Sequence, residues 1–193
     1  MRPSTLSMTM KIFSFLFVCL SFSIPAKATV LTFDGLPDNL SLSNEIPGLN
    51  FSGATVLTAG LSLNEFDFPP ISGDNVAASL TNLLEVTFLG LTDTVSGYFT
   101  YGDSLSLSIY DINGGLLANS QSAGGNNLGS NELITLSGQG ISLLRVSSNS
   151  NFTLDDLSFS NAAAGVPEPT TIVLLAIGAL GLRMSRFKRN RYD

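Results

Sequence analysis

Residues 104–110, Ser-Leu-Ser-Leu-Ser-Ile-Tyr, alternate small polar and apolar side chains without a break. A helix would scatter Leu105, Leu107 and Ile109 around its circumference, whereas an extended strand puts all three on one face and the serines on the other. The segment is therefore a strand with one buried and one wet face. It needs a neighbouring strand and an apolar surface opposite. Asp111-Ile112-Asn113-Gly114-Gly115 supplies a turn whose glycines accept positive φ, and 116–120 returns as the hairpin partner. The same period of two, punctuated by Gly, Asn, Asp and Pro, recurs at 30–33, 49–57, 76–80, 84–89, 95–101, 133–136, 141–147 and 152–159. Ten short strands with no amphipathic helix between them predict an all-β domain over 29–161. The economical arrangement is an antiparallel β-sandwich of the jelly-roll kind, two packed sheets sharing one core. Residues 123–131 read as a long, mobile loop.

The two ends of the chain carry different instructions. Arg2 and Lys11 precede an apolar run at 12–24, and Ala26-Lys27-Ala28 has the small-x-small pattern of a signal peptidase site. A signal peptide over 1–28 is expected, with Thr29 as the mature N-terminus. Cys19 follows Val18, which is too large for the position before a lipoprotein cysteine. At the other end, 162–169 form a small-residue linker closing on Val166-Pro167-Glu168-Pro169. The two prolines fix φ and lack an amide donor, so this spacer joins neither a sheet nor a helix. Residues 170–182 contain no charge. At ~1.5 Å per residue they fall short of the ~30 Å hydrocarbon core, so a membrane helix must run over 170–187 with the stems of Arg183 and Arg186 completing it. Residues 188–193 follow as a basic tail. Arg183, Arg186, Lys188, Arg189 and Arg191 hold that end in the cytoplasm and leave the rest of the chain outside. A processing signal and a permanent single-pass anchor both fit this pattern.

Pro-Glu-Pro, a short apolar helix and a terminal basic cluster, in that order, resemble the PEP-CTERM sorting signal of bacteria that secrete exopolysaccharide. The resemblance covers roughly 166–193. It implies recognition by exosortase, a membrane cysteine transpeptidase that cleaves near the Pro-Glu-Pro. The implied route is export, a transient stay in the inner membrane of a Gram-negative-type bacterium, and delivery to the cell surface or extracellular matrix.

Charge and composition narrow what the middle domain does. Residues 29–161 hold thirteen Asp or Glu against Arg145 alone, a net of −12 that the whole-chain value of −6 conceals. Such a domain repels phosphate backbones, so nucleic acid is not a partner. The chain has no histidine, its single cysteine lies in the signal peptide, and the domain has no lysine. Ser-His-Asp, Cys-His and Ser-Lys catalysis and zinc sites of His or Cys ligands are excluded. Carboxylate pairs persist, but Glu45, Glu65, Glu85 and Glu132 read as solvated strand or turn residues. A non-catalytic protein is expected, structural or adhesive within a polysaccharide matrix.

Two acidic features break the alternation. Leu31-Thr32-Phe33-Asp34 opens the domain and Phe152-Thr153-Leu154-Asp155-Asp156-Leu157 closes it, each setting Asp beside apolar positions. A local bulge or a bound ion would resolve the conflict. The pairing resembles carbohydrate-binding jelly rolls whose first and last strands hold a structural Ca²⁺. That resemblance implies Asp34 and Asp155 as ligands, with Asp156 and backbone carbonyls completing an oxygen shell. Ordinary strand-end aspartates are the alternative. For sugar binding, Tyr98, Tyr101 and Tyr110 are the aromatic candidates, with Asp103 and Asn113 nearby; the alternative is that the rings fill the core. Residues 65–70 place Phe66 and Phe68 on a loop, as a contact patch or a lid on the sheet edge.

Overall fold

The computed structural model describes residues 28–161. The expected signal peptide apart from Ala28, the Pro-Glu-Pro linker, the expected membrane helix and the basic tail lie outside these residues, as do Ala26 and the cluster from Arg183 to Arg191. Among the described residues no helix is long and apolar enough to cross a membrane.

The chain forms nine strands: β1 (Ala28–Leu31), β2 (Leu49–Ser52), β3 (Thr55–Thr58), β4 (Asn75–Ser79), β5 (Leu83–Tyr101), β6 (Ser106–Tyr110), β7 (Leu116–Gln121), β8 (Glu132–Ser147) and β9 (Phe152–Asn161). All named strands pair antiparallel in one nine-stranded sheet, ordered β3-β4-β9-β5-β8-β6-β7, with β1 on β9 and β2 on β5. The two separate sheets expected from the sequence are thus joined. β5 and β8 are long enough to serve both halves. The N-terminal part of β5 pairs with β2 and with the C-terminal part of β8, while its C-terminal part pairs with β9 and with the N-terminal part of β8. A strand that passes from one layer to the next must bend, and the register shifts around Thr92 mark the place.

Glycine explains where the strand boundaries differ from the sequence reading. The predicted breaks near Gly90 and Gly138 are bends inside β5 and β8: Thr92 still pairs with both Ile141 and Asn161, and its hydroxyl donates to the Ser160 carbonyl. A Cβ on Gly138 would lie 3.0 Å from Leu117 Cβ, so this position is bare to let β7 approach. Conversely, 49–57 divides in two. Gly53 takes φ 74° with the Leu83 carbonyl against it, sending β2 to β5 and β3 to β4.

One core fills the space between the halves. Leu105, Leu107 and Ile109 are all buried, as the alternation requires, and meet Leu84, Val86, Leu144 and Val146 from neighbouring strands. Phe99, Tyr101, Phe152 and Leu154 enter the same core from the β5–β9 pair. The β6–β7 hairpin closes as read, with Gly114 at φ 80° and the Asp111 amide donating to the Gly115 carbonyl at 2.9 Å. The loop at 123–131 is tied down. Asn127 accepts from the Tyr101 amide at 2.7 Å and donates to the Phe99 carbonyl at 2.9 Å, fixing the loop to the end of β5.

Candidate functional site

The conflict at Asp155 and Asp156 is resolved by a bulge. Phe152 and Leu154 point inward, Asp155 outward, and Leu157 inward again, so the strand needs one extra residue. Asp156 supplies it at φ 47°, and the β5–β9 register shifts between Ser96 and Tyr98. The site is bought into shape by that single irregularity, because it leaves Asp155 facing out under residues 64–75.

Those residues cross the outer side of β9 as a strap. The Asp155 carboxylate accepts from the amides of Ile71 (2.8 Å), Ser72 (3.2 Å) and Asp156 (2.7 Å), and Asp156 accepts from the Ser72 hydroxyl at 2.6 Å. Asp34 accepts from the amides of Asp74 (3.0 Å) and Asn75 (3.2 Å). Gly73 sits at φ 50° with no room for a Cβ beside the Asp34 carboxylate. Further along, the Gly129 amide donates to the Asp67 carbonyl at 2.8 Å and Asn131 donates to the Pro69 carbonyl at 3.0 Å. Thr100 and Thr153 pair with each other across β5 and β9 and are both buried, the Thr100 hydroxyl donating to the Ser130 carbonyl at 2.6 Å.

The first and last strands therefore do bring Asp34, Asp155 and Asp156 to one loop, but the partners are amides. A calcium shell needs unclaimed oxygens converging on a point. Here five amides and one hydroxyl engage both Asp155 oxygens and one oxygen each of Asp34 and Asp156, and among the described residues no three His, Cys, Asp or Glu side chains form a group able to hold a metal. The residues do not fit the ion. EDTA is accordingly expected to leave the thermal midpoint unchanged at neutral pH; a fall in midpoint restored by Ca²⁺ contradicts this.

Asp155 is 2% exposed. Burial raises its pKa, the three amides oppose that, and the balance lies at about 6 against an ordinary 3.8. The folded state thus holds the proton more tightly than the unfolded state. Its stabilising contribution is complete below about pH 4 and is lost as pH rises through 6. Asp38, held down mainly by the Ser62 hydroxyl, and Glu45, held down by the Ser43 amide, act in the opposite sense at lower pH. Between pH 7 and pH 5 the wild type should gain about 1 kcal/mol relative to Asp155→Asn, which cannot titrate. Parallel pH profiles from urea unfolding of the two proteins would refute the assignment.

The three tyrosines do not form one surface. Tyr101 is 1% exposed, its hydroxyl donating to Glu132, and it belongs to the core. That corrects its assignment as a sugar contact: inward positions of β5 include it, and burial with the Glu132 carboxylate raises its phenol pKa. Tyr98 is half-buried on the outer side between Leu133 and Asp155. Tyr110 is half-buried in the other half of the sheet, with the Arg145 guanidinium 5.3 Å from its ring centroid. Asp103 caps its own turn by accepting from the Ser104 amide at 2.7 Å, and the Asn113 amide donates to Asp111 at 2.8 Å.

The sequence reading missed what Arg145 does. It pairs with Glu85 at 2.7 Å, its direct cross-strand neighbour, and Ser108 lies opposite on β6. Ser52 continues that row on β2 and Asn119 on β7. The signal was present in the alternation, since Glu85, Arg145 and Ser108 all occupy outward positions, but registering three strands requires the structure.

The described residues define an all-β antiparallel domain. The chain also carries the PEP-CTERM protein-sorting motif, matched over residues 165–189. No curated protein matches the chain. Among solved structures it is similar to a family 29 carbohydrate-binding module in complex with cellulohexaose, at TM-score 0.43 and 8% identity over 72% of this chain and 93% of the module. It is also similar to the K1 cleaved adhesin domain of Lys-gingipain from Porphyromonas gingivalis W83, at TM-score 0.45 and 12% identity over 71% and 99%. A family 6 carbohydrate-binding module aligns at TM-score 0.40 and 15% identity over 65% and 96%.

Proposed function

We propose that this is an exported, non-catalytic surface protein, processed by signal peptidase, handed to exosortase by its C-terminal tail, and serving as a structural or adhesive component of an extracellular polysaccharide matrix. In this reading the folded sheet is a jelly-roll-like sandwich, and the tail is its means of delivery. The observation that carries it is the sorting motif beginning at residue 165, with only three residues between it and the end of β9 at Asn161. The last strand of the domain thus runs almost directly into the address. A domain with net charge −12 suits an exterior crowded with neutral or hydrated polymer, where self-repulsion keeps copies apart.

Carbohydrate contact is favoured by a separate observation. The row Ser52, Glu85, Arg145, Ser108 and Asn119, with Tyr110 beside it, crosses five strands with one paired charge of each sign and otherwise neutral hydrogen-bonding groups. Such a row matches hydroxyl-rich, uncharged chains better than charged ones. The domain is expected to co-sediment with the host's own extracellular polysaccharide, and Tyr110→Ala to weaken that binding about tenfold, in line with loss of one aromatic contact. Absence of binding by the wild type would leave the structural role without this contact. A permanent membrane anchor is the outcome expected if the tail is never removed.

A further inference from the structure

We propose that one corner of the domain faces and touches the bilayer surface while the tail is held in the membrane, the contact being made by Leu89, Leu91, Ile112 and Leu116. The proposal rests on the reading that the tail enters lipid. Strand pairing puts these side chains where the chain departs. Asn161, the last described residue, pairs with Thr92, and Thr92 pairs with Ile141. Two residues along β8, Leu143 pairs with both Thr87 and Tyr110. The bend of β5 at 89–91 and the β6–β7 turn therefore share a corner with the C-terminus. Ala28 pairs with Ser160, so the N-terminus leaves from there as well.

That corner is apolar and open. Leu89 is 66% exposed, Leu91 49%, Ile112 77% and Leu116 56%. These are four of the exposed large aliphatic side chains of the domain, and what sets them apart from the others is their place beside the point where the chain leaves the sheet. The carboxylates close by each accept from backbone amides. Asp93 accepts from the Gly140 amide at 3.0 Å, Asp111 from the amides of Asn113 and Gly115 at 2.8 Å each, and Glu45 from the Ser43 amide at 2.6 Å.

Chain length identifies the occupant. Eight residues, 162–169, separate Asn161 from the uncharged segment at 170–182. Fully extended they reach at most about 29 Å, so with 170–182 in the hydrocarbon this corner is confined close to the headgroups. A lipid surface is the apolar partner that this tether guarantees. Because the domain over 29–161 carries thirteen Asp or Glu against one Arg, a zwitterionic surface fits better than an anionic one.

The test uses the full chain with Cys19→Ser, purified with its tail intact and placed in phosphatidylcholine nanodiscs containing brominated acyl chains. Single fluorophores are attached at Leu89→Cys, Ile112→Cys, Phe66→Cys on the strap, and Leu175→Cys in the tail. Loss of fluorescence at 175, 89 and 112 but not at 66 is the expected result. Quenching at 175 alone overturns the corner contact and leaves the tail reading standing. A blue shift at 89 and 112 without quenching means that another polypeptide, a second copy included, covers the corner, which also overturns the proposal. Equal quenching at 66 and 112 shows adsorption without orientation and overturns it too. No quenching at 175 removes the tail reading and this proposal together.

Discussion

Asp155→Ala is expected to lower the stability of the domain by about 3 kcal/mol, roughly 10 °C in midpoint for a domain of this size. Three amides lose their acceptor at once, and the bulge at Asp156 loses the contact that holds its backbone at positive φ. Because Ile71 is exposed and Ser72 half-buried, their amides can recruit water, which keeps the loss below the sum of three unsatisfied donors. The damage should be local first. Hydrogen exchange at Ile71 and Ser72 is expected to accelerate to the rate of an open loop, while Leu107 and Ile109 in the core keep their protection until global unfolding. Unchanged stability, with the strap still protected, would show that Asp155 holds nothing.

The second large effect concerns delivery. A chain stopped after Gly165 retains residues 1–28 and every described strand but lacks Val166, Pro167, Glu168, Pro169 and all that follows. It is expected to fold and leave the cell while losing its surface-bound and matrix-bound fraction entirely. Fractionation with an antibody to the domain checks this. If the truncated chain partitions between cells and medium as the full chain does, the tail is not an address. Stability separates the two effects: truncation should leave the domain's unfolding midpoint unchanged, because β9 ends before the motif begins.

How much of this was legible in the sequence depended on range. Local patterns spoke clearly. The alternation at 104–110 fixed β6 and its buried face, Asp111 to Gly115 announced the hairpin, and the disturbed alternation at 155–156 announced an irregularity, read as either a bulge or a bound ion, where the structure has a bulge. Glycines were ambiguous because the same residue ends one strand and bends another. Gly53 turns the chain, whereas Gly90 and Gly138 let β5 and β8 continue into the second half of the sheet, and only packing distinguishes the cases. For the aspartates, the sequence showed their nearness to the ends of the domain and not the strap that meets them. From sequence, an acidic residue on each of two neighbouring strands reads as an oxygen cage, but the strap that arrives between them brings amides. Tyr101 was misread for a related reason, since an aromatic near a strand end can face either way until its neighbours are known. The sorting motif needed no structure, because it is read as a linear order of spacer, apolar segment and basic cluster.

The intact mass of the protein recovered from the surface of its own host tests the central claim most directly. A polypeptide beginning at Thr29 and lacking Arg183 to Asp193 is the predicted species, and a host without exosortase should accumulate the longer form instead. Recovery from the wild-type host of a chain that still carries those final residues would contradict the account.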